Sequence, residues 1–451
     1  MATTLYRRGR VRSPADPFAT ALMTDGDQVV WVGQEGAADA LSPDVTVDLE
    51  DGWLAPAFVD AHVHATSTGL ALTGLDLTGT TSLAQALRFV ADHCRKARGG
   101  VVLGTGWDET RWPEQRPPTA AELDRAAALG IACVHECGGP DISGEDDFAA
   151  LLALEHGVER IGYWGELLAV DKAKELGAVG AAGDLFVDGA LGSRTACLSH
   201  SYADHDGAGH GYLSADQVRD HVVACTRAGV QAGFHAIGDE ALERVSAGLR
   251  GAADQIGSAE VRAVRHRIEH VEMVTADQVA VLAELGVVAS VQPVFDAWWG
   301  GEDGMYVQRL GRERALAMNP FAALASAGVA LALGSDAPVT PLDPWGTVRA
   351  AVRHRTPGSG ISARAAFSAH TRGGWRAARR DGEGELVPGS PATFAVWAVP
   401  GELVVQTPSD AVAGWSTDAR AGVSGLPDLD APDPVCRRTV VAGVQVHEAG
   451  V

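Results

Sequence analysis

Basic charge is scarce in this chain of 451 residues: 36 Lys and Arg stand against 58 Asp and Glu, a formal net charge of −22. No basic patch interrupts that balance, which excludes nucleic acid and anionic membrane surfaces as expected partners. Cysteine is sparse too. The six (Cys94, Cys133, Cys137, Cys197, Cys225 and Cys436) never take the C-x-x-C spacing of a structural zinc site. They read as small buried residues in a reducing compartment. No stretch reaches the ~18 apolar residues of a membrane-spanning helix. The opening "MATTLYRRGRVRSPADPFATALM" has basic residues but no long apolar run behind them, so neither a secretion signal nor an anchor is expected there. The expected location is cytoplasmic. A G-x-G-x-x-G turn is also missing, and with it the main sign of a dinucleotide-binding sheet.

What is present suits a large soluble core: 46% hydrophobic and 21% charged residues. The length fits one large domain and a smaller one. Residues 1–54 and 386–451 both read as short β-leaning runs broken by Gly, Asp and Pro, such as "VVWVG" and "RRTVVAGVQVHE". Neither end has enough strands for a sheet of its own, so the two are expected to form one composite β-sandwich domain. Residues 55–385 alternate strand-like runs with Ala-rich stretches of helical spacing, among them "SADQVRDHVVACTRAG" and "TADQVAVLAELG". Repeated strand–helix units imply a parallel sheet. Nine strand candidates appear, one more than a (β/α)8 barrel needs. The barrel is preferred to a doubly wound sheet because His and acidic residues recur at the strand ends, where such barrels place their chemistry.

"FVDAHVHA" (58–65) ends one such strand with His62 and His64 at i and i+2, on one side of an extended chain. Alone, the pair fits either a metal site or two polar residues at a barrel mouth. His235 in "GFHAIGD", His270 in "RIEH" and Asp336 in "LGSDAP" end three further strands. Four His and an Asp in this register point to zinc or another borderline divalent ion. Such an ion lowers the pKa of a bound water toward ~7 and so yields a nucleophile at neutral pH. Asp336 is the natural general base, able to take the water's proton and return it to a leaving group.

The order HxH…His…His…Asp resembles the amidohydrolase superfamily of metal-dependent hydrolases. "GWDE" (106–109), "DGALGSRTA" (188–196), "HAIGD" (235–239), "RIEH" (267–270), "SVQP" (290–293) and "GSDAPV" (334–339) resemble its YtcJ-like branch, which includes N-substituted formamide deformylases. The resemblance covers nearly the whole chain. It implies a TIM barrel, hydrolysis of an amide, formamide or cyclic amide C–N bond of a small molecule, and catalysis by Asp336 and His270. A homodimer is an expectation of the resemblance alone. The alternatives are a single-metal deaminase or ester/lactone hydrolase, and, in another class, an inactive barrel serving as a binding or regulatory protein.

One departure stands out. Many relatives carry a carboxylated lysine on the fourth strand that bridges two metals; here the matching position is Asp184. The three lysines, Lys96, Lys172 and Lys174, fall in expected helices. Asp is several bonds shorter, so it reaches a metal only if the backbone lies closer or a water intervenes. Asp184 is therefore read as bridging two ions, as serving one, or as marking an altered site. Trp107, Asp108, Arg194, Gln292, Trp298 and Trp299 are candidate substrate-binding residues, with a loop-fixing ion pair the other reading of Arg194. The histidine-bearing loop 199–214 is read as a lid or a solvated loop. Glu269, adjacent to His270, is expected to point away from the metal face and is read as structural or as a support to a ligand.

Overall fold

A computed structural model describes residues 2–68, 75–76, 104–105, 126–155, 157–404 and 425–449. Its centre is a single parallel sheet of eight strands: β1 (Phe58–Val63), β2 (Ile131–Gly138), β3 (Glu159–Trp164), β4 (Gly180–Ala181), β5 (Gln231–Ala236), β6 (Arg267–His270), β7 (Val288–Val291) and β8 (Ala330–Leu333). They neighbour one another strictly in chain order. The first and last strands meet beyond their ends, where Asp336 N–H donates to the His62 carbonyl at 2.8 Å and His64 N–H to the Ala337 carbonyl at 2.9 Å. This is the (β/α)8 barrel. Every residue of β1, β2, β5, β6 and β7 is buried. That is what a strand covered by helices outside and packed side chains inside requires.

The helical shell follows its local signals. Ser214 and Gln217 form a capping box at the start of helix Ala215–Arg227, and Thr275 and Gln278 form another at Ala276–Glu284. Gly229 and Gly286 follow these two helices at φ +69° and +65°, a left-handed turn that glycine takes without strain. The surplus strand candidate is the run 100–108, "GVVLGTGWD". Of it, Gly104–Thr105 is described, and it pairs with Leu75–Asp76 rather than with the barrel. The expected helix in 82–97 lies outside the described residues; of the one expected in 120–130, residues 126–128 are helical and 120–125 lie outside the described residues.

Below the barrel, helix Arg372–Ala377 closes the mouth opposite the strand ends. The Ala377 carbonyl accepts from Gln231 Nε2 at 2.9 Å, and Trp375 is fully buried against Val59 and Tyr163. His370 donates through Nδ1 to the Val59 carbonyl at 3.0 Å.

Strands from the two ends of the chain share a sheet. Trp53–Pro56 pairs antiparallel with Phe394–Ala398, which pairs with Val435–Val441. A second sheet holds Thr3–Arg7, Ala21–Asp25, Gln28–Gly33 and Val45–Asp48. Tyr6 and Phe394 join the two sheets edge to face, centroids 5.0 Å apart. A single residue, Ala57, separates this terminal sheet from β1. No helix among the described residues is long and apolar enough to cross a membrane.

Candidate metal centre

The six expected ligands come together at the C-terminal mouth of the barrel. His62 and His235 are the next-to-last residues of β1 and β5, His270 ends β6, His64 follows β1, Asp184 follows β4, and Asp336 follows β8. Asp184 sits at their middle. Its Oδ2 lies 3.1 Å from His64 Nε2 and 3.6 Å from His62 Nε2. Its Oδ1 lies 3.5 Å from His235 Nδ1 and 3.8 Å from His270 Nε2. Asp336 Oδ1 closes the first group, 3.5 Å from His62 Nε2 and 3.1 Å from His64 Nε2.

The reach of so short a side chain has a backbone cause. Gly183 turns at φ +84°, just after β4. The chain then passes so close to Gly165 that a Cβ there would stand 2.6 Å from the Asp184 carbonyl carbon. Glycine on one side and a left-handed turn on the other bring the Asp184 backbone in to its partners.

The donor set fits a metal. His62 Nε2, His235 Nδ1, His270 Nε2, Asp184 Oδ1 and Asp336 Oδ1 are buried and make no hydrogen bond. Buried polar atoms without partners are costly, so five converging on one space call for a cation. The other nitrogen of each imidazole is held by an acceptor. His62 Nδ1 donates to Glu269 at 2.9 Å, His64 Nδ1 to the Cys137 carbonyl at 3.1 Å, and His270 Nδ1 to Gln292 Oε1 at 2.8 Å. His235 Nε2 donates to the Gly189 carbonyl at 3.3 Å. These bonds fix the tautomers that leave the inward nitrogens unprotonated, as metal ligation demands. Burial opposes charge on His64, but Asp184 and Asp336 outweigh it and raise its pKa well above the ordinary value. Burial likewise opposes charge on Asp184, and the surrounding histidines overturn it, holding the carboxyl well below the usual range. His270 is lowered by burial and by His235.

Glu269 corrects the expected direction of its side chain, though not its expected supporting role. His270 takes φ +73° and Val271 φ +54°. This breaks the strand alternation at its last residue and lets two adjacent side chains both serve the centre. Arg267, fully buried, grips Glu269 from below with Nε to Oε1 at 2.5 Å and a second nitrogen to Oε2 at 2.9 Å, and its guanidinium lies 4.1 Å over the Tyr163 ring. Burial alone would push Glu269 up; Arg267 and His62 overcome it and hold it ionised. Sequence reasoning misses Arg267, although its place two residues before Glu269 puts it on the same strand face.

A cavity of about 530 Å³ opens above the ligands, lined by His64, Asp184, His235, His270 and Asp336 and by Phe186, Phe295, Trp299 and Tyr306 among others. Of the expected substrate-binding residues, Trp299 lines it. Trp298 does not: it is 54% exposed, turned outward by the helix Pro293–Trp299. Gln292 serves as the acceptor of His270 instead. Arg194 is tied to Asp204 through two bonds of 3.1 and 2.9 Å, a loop-fixing ion pair, and does not line the cavity. Trp107 and Asp108 lie outside the described residues. Loop 199–214 contributes no lining residue; Tyr202 anchors it in a small core with Leu191, Tyr306 and Leu310. Asp188 ties the preceding motif to the end of β5, its carboxylate accepting the N–H groups of Cys197, Ile237 and Gly238 at 2.8 to 3.0 Å.

Comparison with known proteins agrees with this geometry. A model described as "Amidohydrolase family" matches residues 45–129 and 124–447. The Arabidopsis thaliana protein LONG AFTER FAR-RED 3 is 23% identical over 499 aligned positions, covering 84% of each chain. The putative amidohydrolase YtcJ of Bacillus subtilis is 24% identical, covering 69% of this chain and 75% of its own. The crystal structure of an uncharacterized metal-dependent hydrolase from Pyrococcus furiosus superposes with a TM-score of 0.70 at 24% identity, over 87% of this chain and 98% of that one, a likeness of fold. With a family match that spans residues 45–447 and so the whole barrel, the chain belongs to the amidohydrolase family.

Proposed function

We propose that this protein hydrolyses the C–N bond of an amide, formamide or cyclic amide in a small, largely apolar molecule, at a centre of two divalent ions, with zinc the ion its donors suit. The observation that carries this reading is the division of Asp184. One of its oxygens faces His64 and His62, the other His235 and His270, the arrangement expected of a bridging carboxylate. His62, His64 and Asp336 would complete one set, His235 and His270 the other. When bound, the ions polarise a carbonyl and make a water acidic.

The remaining roles fall to the chain itself. Asp336, buried and with Oδ1 turned to the ligand set, would use its other carboxylate oxygen to accept a proton from the attacking water and deliver it to the departing nitrogen. Glu269, Gln292 and the carbonyls of Cys137 and Gly189 hold the imidazoles. The apolar walls exclude water from the reacting carbonyl.

The test is metal content per chain by plasma mass spectrometry for the wild type and Asp184→Ala, with amide hydrolysis measured for the wild type and Asp336→Asn. Two ions falling to one or none on loss of Asp184 supports the bridge. Asp336→Asn is expected to keep metal and to lose ~10²–10⁴-fold in turnover. One ion in both proteins would sink the two-ion centre and favour a deaminase or ester hydrolase. Unchanged turnover in Asp336→Asn would remove its role.

A further inference from the structure

Above the ligands, the cavity walls are apolar, built from Phe186, Leu191, Ile237, Phe295, Trp299 and Met305. Two carboxylates outside the ligand set also line it. Asp141 is exposed at the rim; Glu272, two residues past His270, is only 3% exposed. Tyr306, itself buried, donates its hydroxyl to Glu272 Oε2 at 2.6 Å. The Glu272 carbonyl accepts the Asn319 N–H at 2.8 Å, so both ends of the residue are pinned. No Lys or Arg occurs among the described lining residues.

A carboxyl buried in an apolar wall is expensive unless its lone pairs are used. It has about four acceptor sites, and Tyr306 fills one. Protonated or ionised, it remains a hydrogen-bond acceptor. The wall beside it is aromatic: Trp299 lies tilted by 50° against Phe295 with centroids 4.9 Å apart, and edge-to-face with Tyr306 at 6.4 Å. Ring faces beside a carboxylate suit an N–H-bearing or cationic nitrogen on an apolar body. At the outer wall, away from the proposed ions, a carboxylate group would face Asp141 and Glu272 with no described Lys or Arg to offset the repulsion.

We propose that Glu272, fixed by Tyr306, is a specificity residue that accepts an N–H from the amine side of the substrate. The substrate class is then an apolar amine derivative, neutral or cationic at that nitrogen and free of carboxylate. This rests on reading the cavity as the substrate site of the hydrolase.

The test is calorimetric binding of 2-phenylethylammonium and 2-phenylethanol to the metal-loaded full chain at pH 7.5, in the wild type and in Glu272→Gln. The protonated amine has no lone pair for a metal, so its preference reports the wall. The ammonium is expected to bind at least ~10-fold more tightly than the alcohol, and Glu272→Gln to erase that ratio while metal content and alcohol binding hold. Equal binding of the two probes by the wild type, or a ratio that survives Glu272→Gln, overturns the proposal. If Glu272→Gln fails to fold, Tyr306→Phe is measured instead, and an unchanged ratio there also overturns it. Because the readout is binding, preference for the ammonium in a protein that cleaves no amide would leave the role of Glu272 standing and remove the amide reading alone.

Discussion

The imidazole of His62 donates its Nδ1 proton to Glu269 at 2.9 Å, and Arg267 holds both oxygens of that same carboxylate. One metal-facing nitrogen is therefore aimed by a chain of three side chains, all with no solvent exposure. Glu269→Gln breaks it, because an amide offers one oxygen where two are used and sets an NH2 against a donor. Metal affinity, read by chelator competition, is expected to fall ~10–100-fold. The melting curve should show a loss of ~3–5 kcal/mol, since Arg267 is left buried without its counter-charge. An unchanged affinity would mean that His62 is held by packing alone.

Asp184 owes its position to Gly165. A methyl group at 165 would stand 2.6 Å from Asp184 C and from Leu185 N, against backbone that has no rotamer in which to yield. Gly165→Ala should therefore push Asp184 away from the centre and lower the number of ions bound per chain. Gly36→Ala, where a Cβ meets nothing within 4 Å, is the matched control and should keep full metal content. Equal metal content in both variants would contradict the account.

His266 supplies a pH dependence outside the centre. It accepts the Ala232 N–H on Nδ1 at 2.9 Å and bonds Thr226 through Nε2 at 3.0 Å, so it is neutral in the folded chain. Burial, helped by His221, lowers its pKa from the ordinary 6.5 to about 3. Between those values the unfolded chain takes up a proton that the folded chain refuses. The stability due to this group is thus full above pH 6.5 and is lost as pH falls toward 3. The stability gap between wild type and His266→Asn, from urea unfolding, should narrow by about 2 kcal/mol between pH ~7.5 and ~5. A constant gap would show that the histidine is not neutral in the fold.

The clustering of these six residues was legible because strand ends in a barrel converge, and because His and Asp at those ends have few other reasons to follow apolar runs. The i, i+2 spacing of His62 and His64 survives directly in the structure. Period-two reasoning failed at Glu269, where the positive φ of His270 ends the alternation. A left-handed residue other than Gly, Asn or Asp gives no sign of itself in a sequence. The same limit hid the reach of Asp184, which depends on Gly165 from a neighbouring strand. Trp298 and Trp299 read alike in sequence, and a helix separated them, one to the cavity and one to solvent. Arg194 found its partner ten residues on, in Asp204, a local pairing that spacing alone did not favour over a substrate.

The central carboxylate of this site is written in the chain as Asp184. Where a lysine must first be carboxylated, the bridge is a carbamate assembled from dissolved carbon dioxide, and the centre matures only as fast as that gas is captured. If Asp184 bridges the ions as proposed, the bridging group is complete when translation ends. Metal loading is then expected to run equally well in degassed and in bicarbonate-rich buffer, and loading that needs bicarbonate would contradict the bridge.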